Sequence, residues 1–167
     1  MLVGVGVVAG SILLTVIAFG LVATFAWPRT GLGDRDATIE AGLATDYRIG
    51  EPVFFQEGRF WLVRRAGGDF VAFSAADSFR GCTVVWQPDR RYVDPRDGVE
   101  KQGWYRDPCH GSIYDPEGTK VFGPSPRDLD TYPVTVIGRQ IIVHAADRNL
   151  VPGDDRPELQ PFGAGGG

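Results

Sequence analysis

Cysteine and histidine are scarce in this chain of 167 residues, which has two of each. The cysteines are Cys82 and Cys109, and the histidines are His110 and His144. So few thiol and imidazole groups offer few candidates for a catalytic nucleophile or base. The sequence also shows no serine, histidine and aspartate arranged as a catalytic triad. The sequence therefore gives no indication that the chain is an enzyme by itself.

A basic surface is lacking as well. The formal net charge is −4, from 17 lysines and arginines against 21 aspartates and glutamates. Domains that bind nucleic acid carry a clustered excess of basic residues. We therefore expect no nucleic-acid partner.

Charge is absent from the N-terminus, where residues 1–28 contain no charged side chain. The run from 2 to 27 consists mainly of Val, Leu, Ile, Ala and Gly, and as a helix it would cross the roughly 30 Å hydrocarbon core of a bilayer. This predicts a transmembrane anchor over residues 1–28, with lipid contacts through residues 2–27. A cleaved signal peptide is the alternative, but no basic segment precedes the apolar run, and Trp27 and Pro28 are typical of a membrane interface.

The rest of the chain has no amphipathic helical period. Polar residues and glycines over 29–45 predict a hinge or linker, and residues 46–150 show short strand patterns separated by glycine-containing turns. Many short strands of this kind predict an all-β sandwich or barrel. Residues 87–106 are rich in charge and are predicted either to form a solvated excursion or to dock against a partner through Tyr92, Trp104 and Tyr105. The proline- and glycine-rich segment 151–167 predicts an extended or disordered tail, or an arm on a neighbouring subunit.

Three motifs carry a resemblance to a known family. Residues 77–83 have the sequence DSFRGCT, residues 107–115 have DPCHGSIYD, and residues 123–127 have GPSPR, followed by YPV at 132–134. Their content and order resemble the two cluster-binding loops and the proline loop of the Rieske iron–sulfur protein of cytochrome bc-type complexes. The resemblance implies an antiparallel β-sandwich with an inserted cluster-loop subdomain, here residues 77–130, preceded by one N-terminal transmembrane helix.

In that family each loop contributes one thiolate and one imidazole to a [2Fe–2S] cluster, and one further cysteine to a disulfide between the loops. By resemblance the disulfide positions are Cys82 and Cys109, and a link of this length would stabilise the fold by roughly 3 kcal/mol. The alternative is that both cysteines are cluster ligands. The four ligand positions of the family hold, in chain order, Asp77, Phe79, Asp107 and His110.

Further positions around the cluster also carry over by resemblance. Ser112 and Tyr114 fall where the family places hydroxyl groups that donate hydrogen bonds to sulfur. Gly123, Pro124 and Pro126 fall in the proline loop that covers the cluster. We expect these five residues to shape the two loops.

Three of the four ligand positions hold residues that are unsuited to the cluster. Phe79 has no lone pair, and the carboxylates of Asp77 and Asp107 are hard oxygen donors. We therefore expect that the [2Fe–2S] cofactor has been lost and that the Phe79 ring fills part of its volume. Two close carboxylates repel unless one is protonated, an arginine lies between them or a metal binds, and Arg80 and Arg106 are neighbours in the sequence that could pair with them.

These observations predict an accessory subunit of a respiratory or photosynthetic electron-transfer complex, acting in assembly, stability or docking. Its partners would be the membrane-embedded and cytochrome subunits of that complex. One alternative is a functional Rieske [2Fe–2S] electron carrier of a quinol–cytochrome oxidoreductase. The other is a mononuclear metal protein that holds a divalent ion through Asp77, Asp107 and His110.

The signals for membrane topology conflict. Arg29 and Arg35 follow the apolar run, and the positive-inside rule would then place the domain in the cytoplasm. A disulfide persists in oxidising compartments, and the family resemblance agrees with that side of the membrane. We give these two arguments more weight and expect a single-pass protein of a bacterial-type cytoplasmic membrane, with its domain on the extracytoplasmic side.

Overall fold

The computed structural model describes residues 37–156 and, in addition, residues 17, 19 and 20. The chain divides into two compact units, residues 1–32 and residues 33–167. In the first unit the three described residues are helical, and the rest of the anchor predicted over 1–28 lies outside the described residues. Within the described part of the chain, no helix is long and apolar enough to cross a membrane.

The second unit is an all-β domain, as predicted. Its described strands are β1 (Thr38–Leu43), β2 (Val53–Phe55), β3 (Phe60–Arg64), β4 (Phe70–Ser74), β5 (Val85–Val93), β6 (Glu100–Arg106), β7 (Ile113–Tyr114), β8 (Lys120–Phe122), β9 (Thr131–Tyr132), β10 (Val134–Ile137) and β11 (Gln140–His144). Two short 3-10 helices, Ala44–Asp46 and Asp147–Asn149, accompany the strands. The strands pair in antiparallel fashion.

The strands form three sheets. We call them the terminal sheet (β1-β11-β10), the central sheet (β2-β3-β4-β9) and the inserted sheet (β5-β6-β7-β8). In the central sheet β4 and β9 are neighbours, with Phe73 opposite Thr131. The inserted sheet and its loops lie between these two strands in sequence, so residues 75–130 form an insertion whose ends meet. The subdomain predicted over 77–130 falls within this insertion.

One hydrophobic core, the base core, joins the terminal and central sheets. Strand β11 shows how the sequence builds it: Ile141 and Val143 are fully buried while their neighbours in the strand are only half-buried. This is the two-residue period of a strand with one face turned inward. The buried members of the base core are Ala41, Tyr47, Phe60, Leu62, Ala72, Tyr132, Ile141, Val143 and Ala145.

A second hydrophobic core, the site core, joins the central and inserted sheets. Tyr105 is fully buried there and packs on Trp86 with 4.8 Å between ring centres. Most of residues 87–106 are exposed, as their charge predicts, but Tyr92, Asp94, Gly103 and Tyr105 are buried. Gly103 lies in β6 with φ of 82°, and a Cβ on it would meet the Trp86 ring at 2.7 Å. The buried members of the site core are Val63, Val71, Phe73, Val84, Tyr105, Tyr114 and Leu129.

Both ends of the domain extend further than the sequence predicts. Strand β1 falls inside the predicted linker 29–45, yet it pairs with β11 and buries Ala41. At the other end, Val151 exchanges two backbone hydrogen bonds with Thr131, each of 2.8 Å. The described part of the predicted tail, residues 151–156, is therefore attached to the domain. The sequence did not show this, because so short a pairing leaves no strand-like periodicity.

Candidate functional site

Two loops at the inserted sheet carry the sequence motifs: loop 1 (77–82) and loop 2 (107–112). In loop 1 the amide of Asp77 donates to the carbonyl of Cys82 at 2.8 Å, and the amide of Gly81 donates to the carbonyl of Asp77 at 2.8 Å. Loop 2 repeats both bonds at the equivalent residues, at 2.8 and 3.0 Å. The fifth residue of each loop is a glycine, with φ of 71° and 83°, a conformation that glycine adopts at little cost. The two loops are therefore built on one plan.

The side chain of Asp77 closes loop 1 from within. The residue is 2% exposed. One carboxylate oxygen accepts a hydrogen bond from the amide of Phe79 at 2.7 Å, and the other accepts one from the Tyr114 hydroxyl at 2.6 Å. Aspartate side chains commonly fold a turn by accepting the amide two residues ahead. The buried carboxylate is thus satisfied by the protein itself.

Asp107 does the same in loop 2. It is fully buried, and one of its oxygens accepts the amide of Cys109 at 2.7 Å. The other oxygen accepts the amide of His110 at 3.2 Å and lies 2.9 Å from the Nδ1 atom of the same histidine. This contact fixes the orientation of the imidazole, and it leaves Nδ1 engaged within the loop.

The two arginines that the sequence placed beside these aspartates, Arg80 and Arg106, do not pair with them in the described structure. Among the described residues, the ion pairs include none from Arg80 or Arg106 to Asp77 or Asp107. The Arg80 guanidinium instead lies over the Phe79 ring, 5.3 Å from its centre. Backbone amides of the two loops, and the Tyr114 hydroxyl at Asp77, take the place of the arginines expected there.

Phe79 and His110 occupy the two positions where the family has histidine ligands, and they pack against each other. Their ring centres are 5.3 Å apart and the ring planes are nearly perpendicular, which is a favourable aromatic arrangement. Phe79 is 42% exposed. The ring therefore covers the loop surface beside His110, rather than filling a buried volume as expected.

The predicted disulfide between Cys82 and Cys109 is confirmed, and it joins loop 1 to loop 2. The Cα atoms of the two cysteines are 6.4 Å apart. Within the described residues, Asp107 and the two disulfide sulfurs are the one set of three possible metal donors whose ligand atoms all lie within 4.8 Å of one another. The structure does not bring Asp77, Asp107 and His110 together into such a set.

The predicted proline loop (123–127) lies on both site loops. A Cβ on Gly123 would come within 2.5 Å of the Cα of Ser112, so the backbones approach closely there. Ser125, between the two prolines, is fully buried. Its amide donates to the Ser112 hydroxyl at 3.2 Å, and its hydroxyl lies 2.6 Å from that of Ser78. Sequence reasoning missed Ser78 and Ser125, although a serine between two prolines in this motif is a visible signal.

The hydrogen bond from Tyr114 to Asp77 provides a test of how the site is held. Burial raises the pKa of Tyr114, and the bond to Asp77 raises it further, so the phenol is a donor at neutral pH. We expect Y114F to lower the free energy of unfolding by about 1–3 kcal/mol, because it leaves a buried carboxylate oxygen without its partner. Urea unfolding followed by tryptophan fluorescence measures this.

Tyr105 supplies the matched control. It lies opposite Tyr114 in the inserted sheet and is equally buried. Its hydroxyl has no hydrogen-bond partner within the described chain. Y105F should therefore leave stability unchanged or raise it. Equal losses in the two variants would show that ring packing, and not the bond to Asp77, explains the effect.

The residues at the ligand positions do not fit a [2Fe–2S] cluster. A carbon-only ring stands at 79, and the two buried carboxylates already accept hydrogen bonds from loop amides and, at Asp77, from the Tyr114 hydroxyl. The two sulfurs are bonded to each other. Of the family's donors, the imidazole of His110 alone is kept, and a single imidazole does not replace two thiolates and two imidazoles.

An antiparallel β domain with two disulfide-linked loops on an inserted sheet, covered by a proline loop, is the arrangement that the Rieske resemblance predicts. In sequence, the chain is 30% identical over 110 residues to the cytochrome b6-f complex iron–sulfur subunit of Chlorobaculum thiosulfatiphilum, covering 65% of this chain and 54% of that one. It is 32% identical over 73 residues to the menaquinol:cytochrome c reductase iron–sulfur subunit of Geobacillus thermodenitrificans, covering 43% and 38%. These matches confirm the predicted resemblance to Rieske iron–sulfur subunits.

The matches are partial. The chain spans about half or less of the length of these relatives. Among solved structures, the cyanobacterial plasma membrane Rieske protein PetC3 from Synechocystis PCC 6803 is 27% identical with a TM-score of 0.45, covering 63% of this chain and 97% of that one. No protein-family model matches the chain.

Proposed function

We propose that this protein is a Rieske-like accessory subunit of a membrane electron-transfer complex, that it carries no [2Fe–2S] cluster, and that it acts structurally. The observation that carries the proposal is the state of the two thiolate positions. Asp77 and Asp107 are buried, and each accepts at least two hydrogen bonds close at hand. Loops that close around their own carboxylates keep their shape without a metal centre.

The disulfide supports the same conclusion. In a loaded Rieske site the cluster bridges the two loops, and the disulfide is a second connection. Here the bond between Cys82 and Cys109 is the covalent link, and Ser125 adds a hydrogen-bonded connection to both loops. These connections therefore hold the outer surface of loop 1 and loop 2 in a fixed shape.

The membrane assignment rests on the sequence and on the relatives. The uncharged segment 1–28 is proposed to anchor the domain in a cytoplasmic membrane, with the domain on the extracytoplasmic side. The relatives are named as subunits of a cytochrome b6-f complex and of a menaquinol:cytochrome c reductase. We propose that the partners are the membrane-embedded and cytochrome subunits of a complex of that type, in a respiratory or photosynthetic chain.

Cofactor content tests the proposal directly. The full-length protein, purified in detergent after expression with an active iron–sulfur assembly system, should contain no stoichiometric iron or acid-labile sulfide and should give no EPR signal after reduction with dithionite. The triple variant D77C/F79H/D107C restores the family's ligands at three positions beside His110. We expect it to acquire iron and acid-labile sulfide and to give a rhombic EPR signal.

The same samples separate the alternatives. A reducible cluster in the wild-type protein would overturn the structural role and establish an electron carrier. A stoichiometric metal without sulfide, lost in D107N, would favour the mononuclear site of Asp77, Asp107 and His110. Purification of the native protein without stable cytochrome or membrane-embedded partners would count against the accessory role.

A further inference from the structure

A groove lies beside the proline loop, on residues that neither site loop contributes. Its volume is about 570 Å³, and it is lined by Lys120, residues 123–126, Asp155 and Arg156. The chain segment after β11 forms one wall, where the amide of Arg156 donates to the carbonyl of Pro126 at 2.9 Å.

Lys120 is the unusual residue of this groove. It is 5% exposed, which is rare for a lysine without an anionic partner. Within the described chain its ammonium has one hydrogen-bond partner, the carbonyl of Arg156, at 3.5 Å. An ammonium group has three donors, and a buried charge without a counter-charge is costly. The position therefore favours a negatively charged group from outside the described chain.

The other charges at the groove limit what that group can be. The Arg156 guanidinium is already paired with Asp128, at 3.0 Å. Asp155 is exposed and also lines the groove. One buried positive charge beside one exposed negative charge favours a ligand with a single negative charge over a doubly charged phosphate.

The remaining lining is apolar. The rings of Pro124 and Pro126 line the groove on either side of the buried Ser125. We propose that this groove is a binding site for a small monocarboxylate with a short apolar chain, with Lys120 as the residue that holds the carboxylate. Neither the disulfide nor the family ligand positions line the groove. The binding site can therefore be tested independently of the proposed function.

Butyrate is the probe, added to the full-length protein in detergent while thermal unfolding is recorded. A ligand at ten times its Kd raises the midpoint of unfolding by roughly 4 °C for a domain of this size. We expect a saturable rise of this kind with butyrate, a smaller one with inorganic phosphate, and none with butylamine, which has the same chain and the opposite charge.

Two variants distinguish the site from a general salt effect. K120M keeps the volume of the side chain and removes its charge, so it should unfold at a higher temperature than wild type without ligand and should lose the response to butyrate. R139Q removes an exposed cation from the β10–β11 turn and should respond like the wild type. An equal response in K120M, or no saturable response in the wild type, would overturn the proposal.

A measurement on the wild-type protein needs no folded variant. In an amide-correlation NMR titration with butyrate, the signals of Lys120, Gly123, Ser125 and Arg156 should shift along one saturable curve, while the amide of Arg139 should not. Shifts spread evenly over the domain, or confined to other residues, would also exclude the site.

Discussion

Replacement of both cysteines by serine, C82S/C109S, is expected to lower the free energy of unfolding by about 2–5 kcal/mol. The bond closes a separation of 27 residues that includes β5 and β6. Loss of the disulfide raises the conformational entropy of the unfolded chain. In the folded state, the same loss removes the covalent link between loop 1 and loop 2. Midpoints of urea unfolding give the size of the effect.

The reducing agent provides an internal control, because the chain has no other cysteines. Dithiothreitol should destabilise the wild-type protein by a similar amount, and Cys109 is exposed enough to react. The double-serine variant should not respond. A wild-type protein whose midpoint is unchanged by complete reduction would show that the hydrogen bonds of Ser125 and the two aspartates hold the loops without the disulfide.

Substitution of Asp94 by asparagine is expected to lower the free energy of unfolding by about 2 kcal/mol, because it weakens the hydrogen bonds that a buried carboxylate accepts from two charged side chains. Asp94 is fully buried near the tip of the β5–β6 hairpin. Its carboxylate accepts hydrogen bonds from Arg96 at 2.5 Å and from Lys101 at 2.7 Å. The same Arg96 also contacts Asp115 at 2.6 Å, so the charge network joins the hairpin to the end of β7.

This network also predicts a dependence on pH. Hydrogen bonds from Arg96, with smaller contributions from Lys101, hold the pKa of Asp94 well below its usual value of 3.8. A carboxyl group with a lower pKa in the folded state stabilises the fold above its unfolded pKa and loses that contribution as the pH falls. The wild-type protein should therefore lose stability below about pH 4, and D94N should show a flatter profile over the same interval.

Asp97 is the matched control. It lies in the same hairpin and pairs with Lys101 at 2.8 Å, but it is exposed to solvent. Exposed pairs contribute little, so D97N should unfold at the same urea concentration as the wild type. Equal losses in D94N and D97N would show that net charge near the hairpin, and not the buried carboxylate, determines its stability.

The motifs predicted the site well because their residues are tied to backbone geometry. Three motifs in a fixed order, with a cysteine in each of the first two and a proline loop as the third, define one arrangement of the chain. The disulfide and the insertion at 77–130 were predicted for this reason. The contacts of a residue that replaces a family ligand are harder to predict, since they depend on which hydrogen-bond donors lie near it in the folded structure.

Asp77 and Asp107 illustrate that difficulty. From the sequence they were two repelling carboxylates that needed protonation, an arginine or a metal, but each lies within hydrogen-bonding distance of its own loop's backbone and of one side chain. The burial of Tyr105 was missed because residues 87–106 look solvated when their charges are counted. Within that segment β5 and β6 pair with each other, and Tyr105 on β6 packs in the site core. The ends of the domain were misjudged because β1 and Val151 pair with residues that lie far along the sequence.

The division of the interior into two cores has a consequence for how the protein opens. None of the members of the base core comes from residues 75–130, whereas Val84, Tyr105, Tyr114 and Leu129 of the site core do. The insertion can therefore lose its order while the terminal and central sheets stay folded, as a separate cooperative unit. Amide protons of loops 1 and 2 should exchange through such partial openings, and mutations of the ligand positions could accumulate without endangering the rest of the domain.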